Sequence, residues 1–160
     1  MESHFQKTNA VRLLDKAKIH YSLHHYEIDE NDLSASRVSA SLGEESNYVY
    51  KTLVLEGDKT GYFVCIIPGE SELDLKTAAR VSGNKKAELI PVKQLLPLTG
   101  YIRGGCSPIG MKKLFPTYMD ESCRHFEMIY ISAGKRGLQV GLHPGDLIRF
   151  VSASVTQLTK

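Results

Sequence analysis

Residues 50–68, YKTLVLEGDKTGYFVCIIP, constrain the fold more than any other stretch of the chain. Two runs rich in β-branched and aromatic residues flank the segment GDKTG, whose length and glycines suit a hairpin turn. The second run, YFVCII, stops at Pro68-Gly69 and is far too short to span a bilayer. The sequence therefore predicts a central antiparallel hairpin and no membrane segment in this stretch.

Helix and strand signals lie on both sides of this hairpin. Thr8 is a candidate N-cap for a helix in TNAVRLLDKAK, because apolar residues recur there at helical spacing. Partial alternation in 19–28 predicts a strand, and SASRVSASLG predicts a short helix that ends at Gly43. The other predicted elements are a helix in 73–82 ended by Gly83, a strand at 87–90, a helical turn after Pro91, strands at 100–104, 116–120, 127–134 and 137–142, and a closing helical turn at 144–152.

The balance of these elements sets the predicted fold class. Strands outnumber helices and many connections have hairpin length, which favours an α+β fold with a central, mostly antiparallel, barrel-like sheet surrounded by helices. A doubly wound parallel sheet is the alternative, but the chain contains neither GxGxxG after its first strand nor GxxxxGK[ST]. Since 160 residues with 42% hydrophobic residues can bury an adequate core, we expect one domain over 1–160.

Charge, cysteine content and histidine spacing indicate which partners, compartment and cofactors to expect. The net charge of +2 restricts any contact with a polyanion to a local patch. Cys65, Cys106 and Cys123 are odd in number without CxxC spacing, and the N-terminus has no apolar signal segment, so we expect a cytoplasmic protein without disulfides. The His24-His25 pair lacks a third ligand at helical spacing, and we expect neither a metal nor another cofactor.

One strand lysine is a candidate functional residue. Lys51 opens an apolar strand and shares one face with Leu53 and Leu55 by the period of two. The pattern is compatible with a functional cation and equally with a strand-edge lysine whose stem covers apolar surface.

Two glycine-containing loops are the other candidates. In GGCSPIG, Gly104 and Gly105 allow backbone N–H groups to converge on an oxygen or phosphate, or they form a plain tight turn. No base can be assigned to Cys106, so an inert thiol is favoured over a nucleophile. The loop ISAGKRG carries Lys135-Arg136, which suits either a phosphate contact or a solvated turn.

Four motifs together point to a family. VYKTLV, TGYIRGGCSPIGMKK, PTYMDES and YISAGKRGLQV occur in this order over essentially the whole chain. Their order and spacing resemble the YbaK family, the free-standing relatives of the editing domain inserted in bacterial prolyl-tRNA synthetases. Within it, the chain is most similar to the Cys-tRNA(Pro)/Cys-tRNA(Cys) deacylases, whose mixed α/β fold agrees with the class predicted above.

The resemblance implies a reaction and its partners. The family's reaction is hydrolysis of the ester that links a wrong amino acid to the 3′-terminal adenosine of tRNA, so the implied partners are aminoacyl-tRNA and also prolyl-tRNA synthetase. In the cysteine-specific branch the substrate's own thiol attacks its carbonyl. A deacylase for alanine and a non-catalytic aminoacyl-tRNA-binding module remain as alternatives, and the oligomeric state stays open between a monomer and a weak dimer.

The resemblance also implies site residues. Lys51 matches the family's functional lysine and would contact the substrate's carbonyl or terminal phosphate. Gln139 stands where close relatives carry an aspartate, so the substrate's ammonium would meet a neutral side chain there. Besides Gln139, the expected substrate-binding residues are Tyr26, Thr52 and Ser132 along the pocket, Gly104 and Gly105 as N–H donors, Ser107 and Pro108 in the same loop, and Gly134.

Overall fold

A computed structural model of the protein describes residues 7–28, 31 and 48–160. The helix expected in 34–43 lies outside these residues. The described helices are α1 (Asn9–Lys16), α2 (Leu75–Val81), α3 (Val92–Thr99), α4 (Pro144–Val151) and a 3₁₀ helix (Glu121–His125). The described strands are β1 (Ser22–His25), β2 (Tyr50–Gly57), β3 (Gly61–Pro68), β4 (Ala87–Leu89), β5 (Thr117–Asp120), β6 (Ile129–Ser132), β7 (Leu138–Leu142) and β8 (Ser154–Thr156).

The predicted hairpin is confirmed and forms the middle of a five-stranded sheet. Strands β2 and β3 pair from Tyr50↔Pro68 to Gly57↔Gly61. The strand order is β4-β2-β3-β5-β8, in which β4 is antiparallel to β2 while β5 is parallel to both of its neighbours. The hairpin thus gives the sheet its two longest strands, and later segments add to both of its edges.

A second sheet contains three antiparallel strands in the order β1-β7-β6. A single bridge, Val49↔Tyr130, joins β6 to the residue just before β2. The described strands therefore form two sheets and close no barrel. The mixed helix and strand architecture is confirmed, whereas the barrel-like arrangement is not.

One edge of β2 contacts both sheets, because β4 pairs with part of it and β6 bridges to the residue just before it. The Val54 carbonyl accepts a hydrogen bond of 3.1 Å from the Ile90 N–H, next to the pairing of β4, while Val49 bridges to β6. Between these two contacts, residues 51–53 pair only with β3 among the described strands. This unpaired length of edge leaves an opening between the sheets.

Side chains on the two faces of β2 enter different apolar clusters, as the period of two requires. Tyr50 and Val54 pack in the larger cluster, between the two sheets, with α1 and α4. Leu55 packs in the smaller cluster, under α2, with Leu53 at its margin. The expected common face of Leu53 and Leu55 is therefore present. None of the described helices has the length and apolarity that a bilayer span requires.

Helix α1 begins where the sequence predicted. Thr8 is its N-cap, and its Oγ1 accepts a hydrogen bond of 3.2 Å from the Val11 N–H. The same hydroxyl donates to the Ala133 carbonyl at 2.6 Å. One side chain thus satisfies a helix end and fastens α1 to the loop after β6.

One predicted strand is wrong. Residues 100–104 form no strand, because Gly100, which caps the end of α3, and Gly104, which lies in a turn, adopt φ values of +89° and +86°. Such values are incompatible with a regular strand. The short strand β8 was not predicted; its partner, β5, lies far away in sequence.

Asn84 connects the hairpin turn to the end of α2. Its Oδ1 accepts hydrogen bonds of 2.8 Å from the N–H groups of Lys59 and Thr60. Its Nδ2 donates to the hydroxyls of Thr60 and Ser82, also at 2.8 Å. A single buried amide therefore holds the turn, the hairpin and α2 in one arrangement.

We expect Asn84→Ala to lower the free energy of unfolding by about 2 kcal/mol, because four hydrogen bonds are lost and buried polar groups lose their partner. Lys59→Ala is the matched control, since only the backbone of Lys59 takes part, and it should change stability by less than about 0.5 kcal/mol. Urea denaturation measures both. Equal midpoints for the two variants would contradict this role of Asn84.

Candidate functional site

A pocket of about 730 Å³ lies where the edge of β2 is unpaired. Strand β2 forms one side, the ends of β6 and β7 form another, and the turn at 103–104 and the β4–α3 connection complete the rim. The structure brings six of the predicted site residues together here. They are Tyr26, Lys51, Thr52, Gly104, Ser132 and Gln139.

The other predicted residues of the glycine loop lie behind the pocket rather than along it. The Gly105 N–H donates to the Ile102 carbonyl at 2.9 Å, so it does not serve as a donor to a pocket ligand as expected. The Ser107 hydroxyl is fully buried and accepts a hydrogen bond from the Ile109 N–H, and Pro108 beside it is buried. These residues shape the loop that presents Gly104.

Gly134 lies outside the pocket and supports Ser132. Its N–H donates to the Ser132 hydroxyl at 3.1 Å, and its φ of +106° is one that side-chain-bearing residues rarely adopt. A Cβ at this position would come within 3.1 Å of the Tyr101 ring. The glycine therefore lets the turn after β6 close against Tyr101, with the Ser132 hydroxyl held in place.

The described residues that line the pocket make it electropositive. Lys51 is half-buried, and this burial lowers the pKa of its ammonium group, an effect that the negative charge of Glu72 partly offsets. Arg103 also lines the pocket. No Asp, Glu or His occurs among the described residues that line the pocket. Such a site favours an anion or a developing negative charge.

Two buried oxygen atoms in the pocket have no hydrogen-bond partner among the residues that the structure describes. They are Thr52 Oγ1 and Gln139 Oε1, and the Gln139 side chain belongs to a residue that is only 5% exposed. Buried polar atoms are nearly always paired, since each one left unpaired costs about 1–3 kcal/mol. Unpaired oxygens at the edge of a pocket are acceptors available to a ligand.

The pocket's thiol and its buried phenol are both protonated at neutral pH. Burial raises the pKa of Cys106 to about 12, and burial likewise raises the pKa of Tyr50 to about 12. The Tyr50 hydroxyl is also hydrogen-bonded to the Ser122 hydroxyl at 2.7 Å. A thiol with so high a pKa is a poor nucleophile, in agreement with the inert role predicted for Cys106.

The sequence analysis missed the apolar wall of the pocket and Arg103. Ile90 and Leu95 belong to this wall, and Leu89 and Val92 extend it with side chains that are 50% and 61% exposed. Large exposed apolar residues that lie close together, here at the end of β4 and the start of α3, are a signal of a binding surface, but only once their exposure is known. Arg103 was overlooked because its segment was interpreted as a strand.

Comparison with known proteins gives the family. The sequence profile of the aminoacyl-tRNA editing domain matches residues 29–150, which is most of the chain and includes every site residue from Lys51 onward. The chain belongs to this editing family. The resemblance to the YbaK family drawn from the four motifs is thereby confirmed.

Relatives of this editing domain extend over nearly its whole length. The chain is 48% identical over 154 residues to EbsC of Enterococcus faecalis, described as a candidate Cys-tRNA(Pro)/Cys-tRNA(Cys) deacylase, and covers 94% of it. It is 23% identical to the uncharacterized YwhH of Bacillus subtilis over 81% of this chain and 82% of that one. A crystal structure described as a candidate trans-editing enzyme for prolyl-tRNA synthetase shares the fold, with a TM-score of 0.80, 23% identity, and coverage of 94% and 92%.

We expect Thr52→Val to raise the free energy of unfolding of the editing domain by about 1 kcal/mol, because it replaces an unpaired buried hydroxyl by a methyl group of the same shape. Thr117→Val is the matched control, since that hydroxyl donates to the Phe115 carbonyl at 3.0 Å, and we expect it to lower stability by a similar amount. Chemical denaturation measures both. A loss of stability in Thr52→Val would show that its hydroxyl is paired.

Proposed function

We propose that the protein is a trans-editing deacylase that hydrolyses the ester of cysteine mischarged onto tRNA(Pro), and also that of Cys-tRNA(Cys). The editing family, the 48% identical relative and the fold shared with a candidate trans-editing enzyme for prolyl-tRNA synthetase support this proposal. The proposed partners are aminoacyl-tRNA, through its 3′-terminal adenosine, and prolyl-tRNA synthetase.

The observation that carries the proposal is the charge of the pocket. Among the described residues, its ionisable groups are the cations Lys51 and Arg103, the protonated groups of Cys106 and Tyr50, and the phenol of Tyr26, and no carboxylate or histidine lines it. Such a pocket can stabilise an oxyanion but offers no evident general base to activate water. A substrate that brings its own nucleophile does not need that base.

Cysteine is such a substrate. Its thiol gives up a proton, and the thiolate sulfur attacks the ester carbonyl to form a tetrahedral oxyanion. When the oxyanion collapses, the bond to the ribose oxygen breaks, this oxygen takes up a proton, and a four-membered thiolactone leaves. Water then opens the thiolactone, so that the net reaction is Cys-tRNA plus water to cysteine plus tRNA. The ammonium group of Lys51 lowers the cost of the thiolate and of the oxyanion.

The neutral acceptors of the pocket fit the substrate's ammonium group. Thr52 Oγ1 and Gln139 Oε1 are unpaired acceptors, and an α-ammonium has three N–H donors. Binding would give both oxygens the partners that they lack. Gln139 therefore holds the ammonium by hydrogen bonding, without the charge that an aspartate would supply.

We expect Lys51→Met to lower kcat/KM for Cys-tRNA(Pro) about 100-fold, since it removes a cation that stabilises the transition state. The half-buried stem of Met covers similar apolar surface, so the variant should remain folded by circular dichroism. Lys93→Met is the control, because this exposed lysine of α3 does not line the pocket. An equal loss of kcat/KM in both variants would contradict this role, because Lys51 would then act only through the overall charge of the protein.

We expect tRNA(Pro) charged with cysteine to be hydrolysed at least about tenfold faster than the same tRNA charged with serine, because a thiol ionises more readily and is the better nucleophile. Rates measured on tRNA carrying labelled cysteine, serine or alanine decide this. Equal rates for serine and cysteine would contradict substrate-thiol attack. Faster release of alanine would identify an alanine deacylase, and binding without release would identify a binding module.

A further inference from the structure

Residues 102–105 form a tight turn at the rim of the pocket. The Gly105 N–H donates to the Ile102 carbonyl at 2.9 Å, and Gly104 has a φ of +86°. Arg103 does not have a positive φ, which leaves a type II turn with Gly104 at its third position. The central peptide of such a turn, Arg103–Gly104, points in the opposite direction in a type I turn, so its orientation has two discrete alternatives.

Arg136 holds one of these two orientations. Its Nε–H donates to the Arg103 carbonyl at 2.8 Å. This carbonyl and the Gly104 N–H belong to the same trans peptide and therefore point in opposite directions. Gly104 lines the pocket whereas Arg136 does not, and the Gly104 N–H has no hydrogen-bond partner among the described residues.

Backbone packing keeps the two loops at the distance that this contact needs. A Cβ on Gly105 would lie 3.0 Å from Lys135 Cα and 3.1 Å from the Arg136 nitrogen. Glycine at 105 therefore allows the turn to lie directly against the loop after β6. The arginine contact is part of this docked arrangement, and a peptide flip would break it.

We propose that Arg136 is a positioning residue that aims the Gly104 N–H at the oxyanion of the tetrahedral intermediate. This inference rests on the proposed function. By binding the Arg103 carbonyl, the Nε–H of the guanidinium opposes rotation of the peptide plane, so that the Gly104 N–H keeps its direction. Arg136 itself stays behind the peptide and contacts no substrate.

Three substitutions separate the hydrogen bond from the charge. Arg136→Gln keeps an N–H donor the same number of bonds from the backbone as Nε, without the charge. Arg136→Lys keeps the charge but has a methylene group at that place, and Arg136→Met has neither. Arg80→Met, on the exposed side of α2, is the control for loss of a surface arginine.

We expect Arg136→Lys and Arg136→Met to lower kcat for Cys-tRNA(Pro) about 10–100-fold with little change in KM, because an oxyanion donor acts in the transition state. Arg136→Gln and Arg80→Met should stay close to the wild type. If Arg136→Lys keeps the wild-type kcat while Arg136→Gln raises KM, Arg136 contacts tRNA phosphate and the proposal is wrong. Wild-type kcat in all three Arg136 variants also overturns it.

A second measurement needs no activity. In ¹H–¹⁵N spectra of the substrate-free protein, we expect the Gly104 amide resonance to shift in Arg136→Lys and Arg136→Met but not in Arg136→Gln or Arg80→Met. An unmoved Gly104 resonance in all four variants overturns the positioning role. If the wild type hydrolyses no aminoacyl-tRNA, the proposed function fails, while this spectrum still decides whether Arg136 orients the peptide.

Discussion

The division of one edge of β2 between two partners is the constraint on which the rest of the structure depends. At Val49 this edge meets β6, and at Val54 it meets the end of β4. The backbone between them pairs on its other side with β3, so the strand stays regular across the opening. A rigid strand thereby carries Lys51 and Thr52 into a pocket, where residues on a mobile loop would lose their positions.

The pocket is built at a cost in stability that ligand binding can offset. Thr52 Oγ1 and Gln139 Oε1 are buried without partners in the described part of the chain, and Lys51 is partly desolvated, which lowers its pKa. Functional sites commonly retain groups of this kind, which a stability optimum would remove. Here they lie in one pocket and have complementary uses, since the oxygens accept hydrogen bonds and the cation attracts negative charge.

The glycines contribute to the site mainly through the backbone conformations and close approaches that they permit. Gly104 permits the turn at the rim of the pocket, Gly105 permits the approach of the neighbouring loop, and Gly134 permits the turn that supports Ser132. The thiol of Cys106 between these loops is half-buried, and desolvation raises its pKa to about 12. The sequence pattern GGC thus marks a backbone conformation.

Local patterns in the sequence determined the hairpin, the N-cap of α1, most of the helices and the family, because turn residues, caps and periodicity act over a few neighbours. The lysine of β2 and the glycine loop could be singled out in the same way. Only the tertiary structure decided that the described strands form two sheets, that residues 100–104 form no strand, and that Arg136 meets the Arg103 carbonyl. These features depend on contacts between segments far apart in the chain, whose free energy comes from packing and hydrogen bonds that no local pattern records.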